Sequence, residues 1–540
     1  MPVCLPSGRF VPARPARTAA AALFAWLWLA GAAWAHASLV SSQPADGELL
    51  TVAPQSFTLT FNEPVSPLVL RLVRPDASSL PLPDFELDDT TLVVRAPQDM
   101  QRGTHVLSWR VVSQDGHPIG GSVIFSVGEV SSKVPALDRQ QVDWNVRAGI
   151  WIAKIALYAG LFLGIGGVFA FTWLLPQAAA GRRAVMVLLA AGVAGAVASA
   201  GFQGLDALDV PVSWFFEWAV WSAGLATSFS WTVLAALIAL AVAGAALAAT
   251  GRVARALAAL ALGGAGLALA LSGHASAAEP QWLMRPAVFL HVAAVAWWTG
   301  ALLPLGLALR RREPGALAGL ERFSASIPLV LLVLVLAGAT LAVVQVERPA
   351  ALVETAYGRV LLVKLALVAA LFGLAAINRW RLTAQVHAQS TEAIRRMVRA
   401  IVAETVLVLL VLAAVAVWRF TPPPRALAIA AAQPAIVHVH SQKAAGFVIV
   451  TPGRAGKVGI DIDTLDGEMQ TMDPKEVSVT FSKPDAGIEP FGRKAERVGE
   501  GVWRIEGLTI PLPGAWRVRV DVLISDFEVA HVEGEIEIRP

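Results

Sequence analysis

The sequence predicts a multi-domain membrane protein with an N-terminal β-sandwich, a polytopic α-helical membrane domain of about eight spans and a C-terminal β-sandwich. Of the 540 residues, 56% are hydrophobic, which is too high a fraction for an ordinary soluble protein. The apolar residues form long runs between about 147 and 420, and shorter β-type runs with alternating polarity lie on either side. Most of the chain is therefore expected to lie in a bilayer.

Residues 1–35 have the pattern of a secretory signal peptide. Three arginines precede an apolar run that ends in Ala33-Trp34-Ala35, which is typical of a cleavage site. Cleavage there makes His36 the N-terminus of the mature chain. The single cysteine, Cys4, lies before this site, so the mature chain is expected to have neither disulfides nor thiolate ligands.

Residues 36–130 are predicted to form the first β-sandwich, because short runs with β-type alternation are separated by proline, glycine and aspartate. A terminal His36 offers an amine and an imidazole nitrogen from one residue, a chelate that suits Cu(II). Asp115 and His117 add a carboxylate and a second imidazole. Together these groups predict a copper site outside the cytoplasm.

After a linker at 131–146, the membrane domain is predicted at 147–420. Eight apolar stretches approach the length of about 20 residues that crosses a bilayer, and they lie near 148–175, 184–205, 226–249, 252–273, 284–309, 325–346, 358–378 and 397–419. The basic residues of alternate connections, which the positive-inside rule places in the cytoplasm, are Arg182, Arg183, Arg252, Arg255, Arg310, Arg311, Arg312, Arg379, Arg381, Arg395 and Arg396. Eight spans then place both ends of the mature chain outside, in agreement with a signal peptide.

The charge pattern and the motifs argue against three classes of function. The net charge is only +3, and the basic residues cluster between apolar segments, so the pattern indicates membrane topology and not nucleic-acid binding. The sequence has no Walker motif and no phosphorylation-type aspartate motif. ATP-driven pumping is therefore not expected, and the chain is not expected to be an enzyme.

The C-terminal part begins with a proline-rich linker at 421–434 and returns to β-type alternation at 435–540. If residues around 438 form a strand, His438 and His440 share one face of it. Met469 and Met472 add two soft sulfur ligands, so the four side chains are a tentative copper site. The favoured alternative is a solvated histidine pair with exposed methionines, and His531 has the same two interpretations.

Motifs in all three parts resemble known families. The N-terminal part is similar to CopC copper-binding domains through His36-Ala37-Ser38-Leu39, Ser42-Gln43-Pro44-Ala45-Asp46-Gly47, Phe61-Asn62-Glu63-Pro64-Val65 and Ser113-Gln114-Asp115-Gly116-His117-Pro118. The membrane part resembles CopD through Ser272-Gly273-His274-Ala275, the stretch 291–300, Tyr357-Gly358-Arg359 and Lys364. The tail is similar to YtkA-like domains. This order is that of YcnJ-type CopC/CopD fusions, which act in copper resistance or uptake.

The CopC resemblance implies a Cu(II) site made of the amine and imidazole of His36 with Asp115 and His117. Glu63 occupies the position of a nearby carboxylate, as an outer ligand or a hydrogen-bond acceptor at a strand end. Met100 is the single methionine of this part, so a separate methionine-rich Cu(I) site is not expected there. His105 stands where an aromatic residue is expected, and a packing or surface role is favoured for it.

Four residues of the membrane part are candidates for a transport pathway. His274 is placed at the end of the fourth span and His291 about two turns into the fifth, and ionisable groups at such depth are functional candidates. Met284 between them offers a soft ligand for Cu(I). Glu404 in the last span either continues a polar route or locks two helices by a hydrogen bond. Lys364 is expected to extend toward the bilayer surface.

Taken together, the resemblance implies a bacterial inner-membrane protein with both β-domains on the periplasmic side. Its implied function is copper import, with Cu(II) capture by the outer domain and transfer to the histidines of the helices; Cu(I) is a second candidate species. Periplasmic copper chaperones are candidate partners besides copper and the lipid bilayer. The alternatives are copper sequestration on a membrane scaffold and, with less support, a copper oxidase or monooxygenase, whose oxygen position Asp115 would occupy.

Overall fold

The computed structural model describes residues 39–45, 48–61, 64–76, 78–112, 118–129, 131, 143–387, 390–432, 434–441, 443–466 and 470–539. The predicted signal peptide lies outside the described residues. So do five of the candidate site residues, which are His36, Glu63, Asp115, His117 and Met469.

Two sheets form the N-terminal domain, and their inner faces share one apolar core. The first sheet has the order β1-β3-β7-β6 and the second β2-β9-β8-β4-β5. The strands are β1 Leu39–Gln43, β2 Glu48–Leu50, β3 Ser56–Phe61, β4 Ser66–Val73, β5 Ser79–Pro81, β6 Phe85–Asp88, β7 Thr91–Arg95, β8 Gly103–Val112 and β9 Pro118–Val127. In β3, Phe57, Leu59 and Phe61 are buried between half-exposed or exposed neighbours, as the two-residue period of a strand requires. The predicted β-sandwich is confirmed.

His105 on β8 has the packing role that the sequence favours for it. The side chain is fully buried, its ring stacks on that of Phe125 at a centroid distance of 5.5 Å, and its Nε2 is 2.8 Å from the carbonyl oxygen of Gln101. Nδ1 has no hydrogen-bond partner among the described residues. Burial lowers the pKa of His105 below its ordinary value of 6.5, although the bond to Gln101 opposes this shift. The imidazole is therefore neutral in the folded domain.

This burial predicts an acid-sensitive N-terminal domain. Because the folded-state pKa of His105 is depressed, the unfolded state binds a proton more readily, and stability falls as the pH drops below about 6.5. His105→Phe retains a ring against Phe125 and removes the titrating group. Urea unfolding of residues 36–130 should give a flatter pH profile for His105→Phe than for the wild type. An unchanged profile would show that protonation of His105 does not cause the loss of stability at low pH.

In the part of the chain that the structure describes, eight helices are long and apolar enough to cross a membrane, which agrees with the predicted number. They are α1 Trp144–Leu174, α2 Arg182–Leu208, α3 Phe229–Ala248, α4 Gly251–Ala270, α5 Gln281–Arg311, α6 Ala316–Val346, α7 Ala356–Leu382 and α8 Thr391–Ala416. Short helices Trp218–Ala226, His274–Ala277 and Ala351–Glu354 lie in the connections. Helix Pro424–Ala432 begins at the last of three consecutive prolines, within the segment where the sequence predicts a linker. Proline is well tolerated at such a helix start.

Glycines bring the helices of the membrane domain into backbone contact. A Cβ built on Gly166 of α1 would overlap the carbonyl oxygen of Ala296 on α5 and would lie 2.9 Å from Cα of Gly300. A second close contact joins Gly160 of α1 to Gly192 of α2. Small residues at helix crossings permit the van der Waals packing that replaces the hydrophobic effect in lipid. These contacts place α1 at the centre of the helical domain.

A third domain follows the helices and again consists of two sheets around one core. Their orders are β10-β11-β12-β16-β15 and β14-β13-β17-β18. The strands are β10 Ala435–His440, β11 Ala444–Thr451, β12 Gly456–Asp466, β13 Glu476–Lys483, β14 Ile488–Lys494, β15 Glu496–Gly499, β16 Val502–Ile510, β17 Gly514–Ser525 and β18 Glu528–Ile538. Trp516 is fully buried between the sheets. The predicted second β-sandwich is confirmed.

Candidate functional site

The N-terminal domain contacts the membrane domain through Arg110 on β8. Its guanidinium donates a hydrogen bond of 2.6 Å to the carbonyl oxygen of Asp206 and lies 3.6 Å from the carboxylate of Asp209, both at the end of α2. The side chain is only 14% exposed. Arg110 is followed closely by residues 113–117, which connect β8 to β9 and include Asp115 and His117. The contact therefore brings the end of β8 to the membrane domain.

A buried ion pair continues this contact into the helices. Arg419, just after α8, lies 2.5 Å from the carboxylate of Asp206, and its guanidinium is 3.4 Å from the side-chain oxygen of Gln203. The Arg419 side chain is 8% exposed and that of Asp206 is 29% exposed. Sequence reasoning missed this pair. The visible signal was a charged residue at one end of each of two apolar runs.

His274 lies outside the fourth span, which corrects its predicted position. Helix α4 ends at Ala270, and His274 begins the short helix His274–Ala277 after Gly273, whose φ of +99° favours glycine. The His274 carbonyl oxygen accepts a hydrogen bond of 3.0 Å from the side chain of Gln345 at the end of α6. The imidazole is half-buried. This residue lies at the same end of the helical domain as the contact with Arg110.

His291 lies deeper, ten residues after the start of α5, which is nearly three turns. Its Nδ1 is 3.3 Å from the carbonyl oxygen of Leu334 on α6, and its ring packs where Gly338 has no side chain. Leu334 and Gln345 are eleven residues apart on this helix, about 16 Å along its axis. The structure thus places His291 and His274 against one helix but at different levels.

Met284 is fully buried in the first turn of α5, between the two histidines in sequence. Its thioether is the soft ligand type that Cu(I) prefers. Among the residues that the structure describes, no group of three or more His, Cys, Asp or Glu side chains is arranged to hold a metal ion.

Glu404 of α8 is buried and bonded to a neighbouring helix. Its Oε1 accepts a hydrogen bond of 2.8 Å from the side-chain amide of Asn378 on α7, and the two residues are 3% and 8% exposed. Sequence reasoning did not identify Asn378, because a single asparagine next to arginines at a helix end carries no specific signal. The helix-locking bond that the sequence offered as an alternative for Glu404 is thus present in the structure.

The Tyr357-Gly358-Arg359 motif and Lys364 join α7 to the end of α8. The rings of Tyr357 and Trp418 stack at 4.9 Å, and the indole nitrogen of Trp418 donates to the Tyr357 carbonyl oxygen at 3.3 Å. Lys364 places its Nζ over the Trp418 ring at 4.9 Å, a cation–π contact. The half-buried lysine thus packs against a helix end, where the sequence predicted extension toward the bilayer surface.

The tentative tail site is resolved only in part. His438 and His440 lie two residues apart on β10, and their backbones pair in register with Phe447 and Ala445 of β11. Met472 is half-buried and packs against the core of the domain. The four-ligand set therefore stays a prediction.

His531 on β18 belongs to the other sheet of the tail domain and already has polar partners. Its Nδ1 lies 2.5 Å from the carboxylate of Asp521 and 3.0 Å from the guanidinium of Arg519. Burial alone would raise the pKa of Asp521, but its hydrogen bonds to Arg519 and His531 outweigh this effect and lower it. The aspartate is therefore a stable acceptor for the exposed imidazole.

Family models match two of the three parts. The CopC domain model matches residues 39–128, and the Copper resistance protein D model matches residues 317–418. Copper resistance protein C from Pseudomonas syringae pv. tomato is 35% identical over 125 residues, which are 21% of this chain and 96% of that protein. The chain belongs to the CopC/CopD family of copper resistance proteins. The resemblance of its tail to YtkA-like domains stays a prediction.

A relative spans nearly the whole of this CopC/CopD protein. Copper transport protein CutJ from Bacillus subtilis (strain 168) aligns with this chain over 554 positions at 24% identity. The alignment covers 94% of this chain and 96% of CutJ. Among solved structures, PcoC, a methionine-rich copper resistance protein from Escherichia coli, is 28% identical, with 17% of this chain and 99% of PcoC covered and a TM-score of 0.15. These relatives are named for copper transport or resistance.

Proposed function

We propose that this CopC/CopD protein imports copper across the bacterial inner membrane. The N-terminal domain captures Cu(II), transfers it to His274, and the ion then passes His291 on its way through the helices. The observation that carries this proposal is the pair of histidines that contact α6 at two levels, His274 through its carbonyl oxygen and His291 through its ring, at and below the end of the helical domain that contacts the N-terminal domain. Neutral imidazole is a good ligand for copper ions.

For the capture step, the proposed ligands are the amine and imidazole of His36 with Asp115 and His117, and Glu63 as a nearby carboxylate. Two imidazoles, an amine and a carboxylate suit the tetragonal geometry of Cu(II), which binds nitrogen and oxygen ligands more tightly than the other divalent first-row metals do. The match to the CopC model over 39–128 supports a copper-binding role for this domain.

For the transfer step, the contact of Arg110 with the end of α2 supports a short route. Capture and entry in one chain raise the local copper concentration at the entrance, because a tethered domain acts at a high effective concentration. Met284, buried in the first turn of α5, is a proposed soft ligand between the two histidines if the ion travels as Cu(I). Glu404 is a proposed polar position farther along the pathway.

Sidedness and a transport role have separate support. The arginines between the helices fall in alternate connections, and the positive-inside rule then places both β-domains in the periplasm. CutJ, which aligns over 94% of this chain, is named a copper transport protein. Eight apolar helices are also many more than a membrane anchor needs.

The test is cellular copper accumulation at matched membrane levels of the wild type and of His274→Ala with His291→Ala. Loss of both imidazoles removes both proposed stations, so accumulation should fall to that of cells with an empty vector. Thr340→Ala is the matched control on α6, because its hydroxyl donates only to the Leu336 carbonyl of the same helix.

Cu(II) binding by the N-terminal domain should be intact in the double variant, which separates capture from conduction. Equal accumulation by the wild type and the double variant would refute conduction past the histidines. Sequestration on a membrane scaffold would then be the better account of the fold.

A further inference from the structure

One buried carboxyl group of the helical domain has a local environment that the passage of copper alone does not explain. Among the described residues, Glu404 is the one acidic side chain that is buried, at 3% exposure. It lies on the face of α8 that otherwise carries apolar residues, including Ile401 and Val408. Burial of a charged carboxylate without a cation is costly, so such a group needs either a positive partner or a proton.

No positive partner is present in the part of the chain that the structure describes. The one hydrogen-bonding partner of the Glu404 carboxyl is the Asn378 amide, which donates at 2.8 Å. The basic groups of the neighbouring helices form no ion pair with Glu404; they are Arg147 and Lys154 of α1, Arg285, Arg310 and Arg311 of α5, Arg359, Lys364, Arg379 and Arg381 of α7, and Arg395, Arg396 and Arg399 of α8 itself. Arg379, the chain neighbour of Asn378, donates a hydrogen bond of 2.8 Å to the hydroxyl of Ser324 on α6.

The second observation is an unpaired acceptor beside the carboxyl group. The side-chain oxygen Oδ1 of Asn378 is buried and has no hydrogen-bond partner among the described residues, while its Nδ2 is bonded to Glu404. An unpaired buried acceptor is energetically costly. A proton on Glu404 removes both deficits, because it neutralises the carboxylate and supplies the O–H donor that Oδ1 lacks.

The backbone at Asn378 is also unusual. A π-helical segment, Asn378–Leu382, interrupts the regular turns of α7 and begins at this residue. The Asn378 carbonyl oxygen accepts a hydrogen bond of 2.9 Å from the Thr383 hydroxyl, which partly replaces the regular helical bonding. Single π-helical turns are frequent at functional sites of helices.

The pair lies far from the entrance defined by His274. Lys364, which packs against Trp418 near the entrance end, is fourteen residues before Asn378 on α7, about 21 Å along the helix. Glu404 and Asn378 therefore lie in the half of the domain on the side opposite to the N-terminal domain. A carboxyl at this depth is poorly placed for capture and well placed to exchange a proton with the opposite side.

We propose that Glu404 and Asn378 form a proton-binding site that couples copper movement to proton movement. With the site protonated, the Glu404 O–H donates to Oδ1 of Asn378. As copper arrives, the O–H bond breaks and the proton goes to water at the opposite side, which leaves a carboxylate that balances the charge of the passing cation. When the ion has left, a proton from the side of the N-terminal domain rebinds to Glu404, so one proton crosses with each copper ion, and no electrons are transferred. The coupling deepens the proposed copper import and rests on it, whereas proton binding at the pair does not.

The first experiment tests proton binding alone, on the purified full-length protein. Infrared difference spectroscopy over a pH titration should show a protonated carboxyl band in the wild type near neutral pH. The band should be absent from Glu404→Gln and retained by Glu392→Gln, which removes an exposed carboxylate of the same helix that pairs with Arg396. If the wild type lacks this band, or Glu404→Gln keeps it, the site is overturned whether or not the protein transports copper.

The second experiment tests coupling in phosphatidylethanolamine–phosphatidylglycerol vesicles with a trapped pH dye, to which Cu(II) or Cu(I) is added. Copper uptake by the wild type and by Glu392→Gln should be accompanied by proton movement, which should fall at least tenfold in Glu404→Gln. Copper uptake without proton movement in the wild type would overturn the coupling. Absence of copper uptake in the wild type would overturn the proposed import and its coupling, and would leave the infrared result to decide proton binding.

Discussion

Replacement of Gly166 by alanine is expected to destabilise the helical domain severely. The new Cβ would overlap the carbonyl oxygen of Ala296 and lie 2.8 Å from its carbonyl carbon and 2.9 Å from Cα of Gly300. All three are backbone atoms of α5, so no side chain can turn away, and the helices α1 and α5 must separate. Overpacking of this kind costs about 3 kcal/mol or more. Thermal unfolding of the detergent-solubilised protein should show a clear fall in Tm.

Gly244→Ala is the matched control for this prediction. A Cβ at Gly244 on α3 has nothing within 4 Å, and alanine is the better helix former by about 1 kcal/mol. Its Tm should therefore equal or exceed that of the wild type. Equal Tm values for Gly166→Ala and Gly244→Ala would show that the contact between α1 and α5 is not as close as described.

Replacement of Arg419 by methionine is expected to remove the ion-pair partner of Asp206. The pair lies at 2.5 Å with the arginine 8% and the aspartate 29% exposed, so the loss in stability should lie between that of a surface pair and that of a buried pair, at about 1–3 kcal/mol. The same change removes the contact with Gln203. Because Asp206 also accepts from Arg110 through its carbonyl oxygen, we expect the attachment of the N-terminal domain to weaken as well. Limited proteolysis between residues 131 and 143 should become faster.

A double-mutant comparison separates the ion pair from general damage. Asp206→Asn combined with Arg419→Met removes the unpaired charge and should recover part of the lost stability. Arg348→Met is the control, since its pair with Glu354 is 65% and 50% exposed and such surface pairs contribute about 0–1 kcal/mol. A loss for Arg348→Met as large as that for Arg419→Met would argue against a special role for the buried pair.

The fold class could be predicted from local patterns because each pattern has one dominant physical cause. Runs of about 20 apolar residues must satisfy their backbone groups internally in lipid, so they predict helices, and all eight are present. Alternating runs with a period of two predict half-buried strands, and both flanking parts are sandwiches. The exact ends were harder, as at Ala270, where α4 stops before His274.

The pathway residues were predictable only as single residues. An imidazole or carboxyl in an apolar run is costly in any membrane fold, so His291 and Glu404 could be singled out without knowledge of their neighbours. The sequence did not indicate that His274 and His291 contact α6 at different levels, or that Asn378 bonds to Glu404. These facts depend on how helices distant in sequence pack against each other.

The sequence by itself determined the three-part architecture, the number of spans and the candidate residues, because hydropathy, periodicity and residue chemistry are local properties of the chain. Only the tertiary structure decided which of those residues meet. Arg110 reaches Asp206, and Asp206 reaches Arg419, across separations of 96 and 213 residues. Such pairings depend on packing between elements that are distant in the sequence, and the free energy of this packing is a property of two surfaces together.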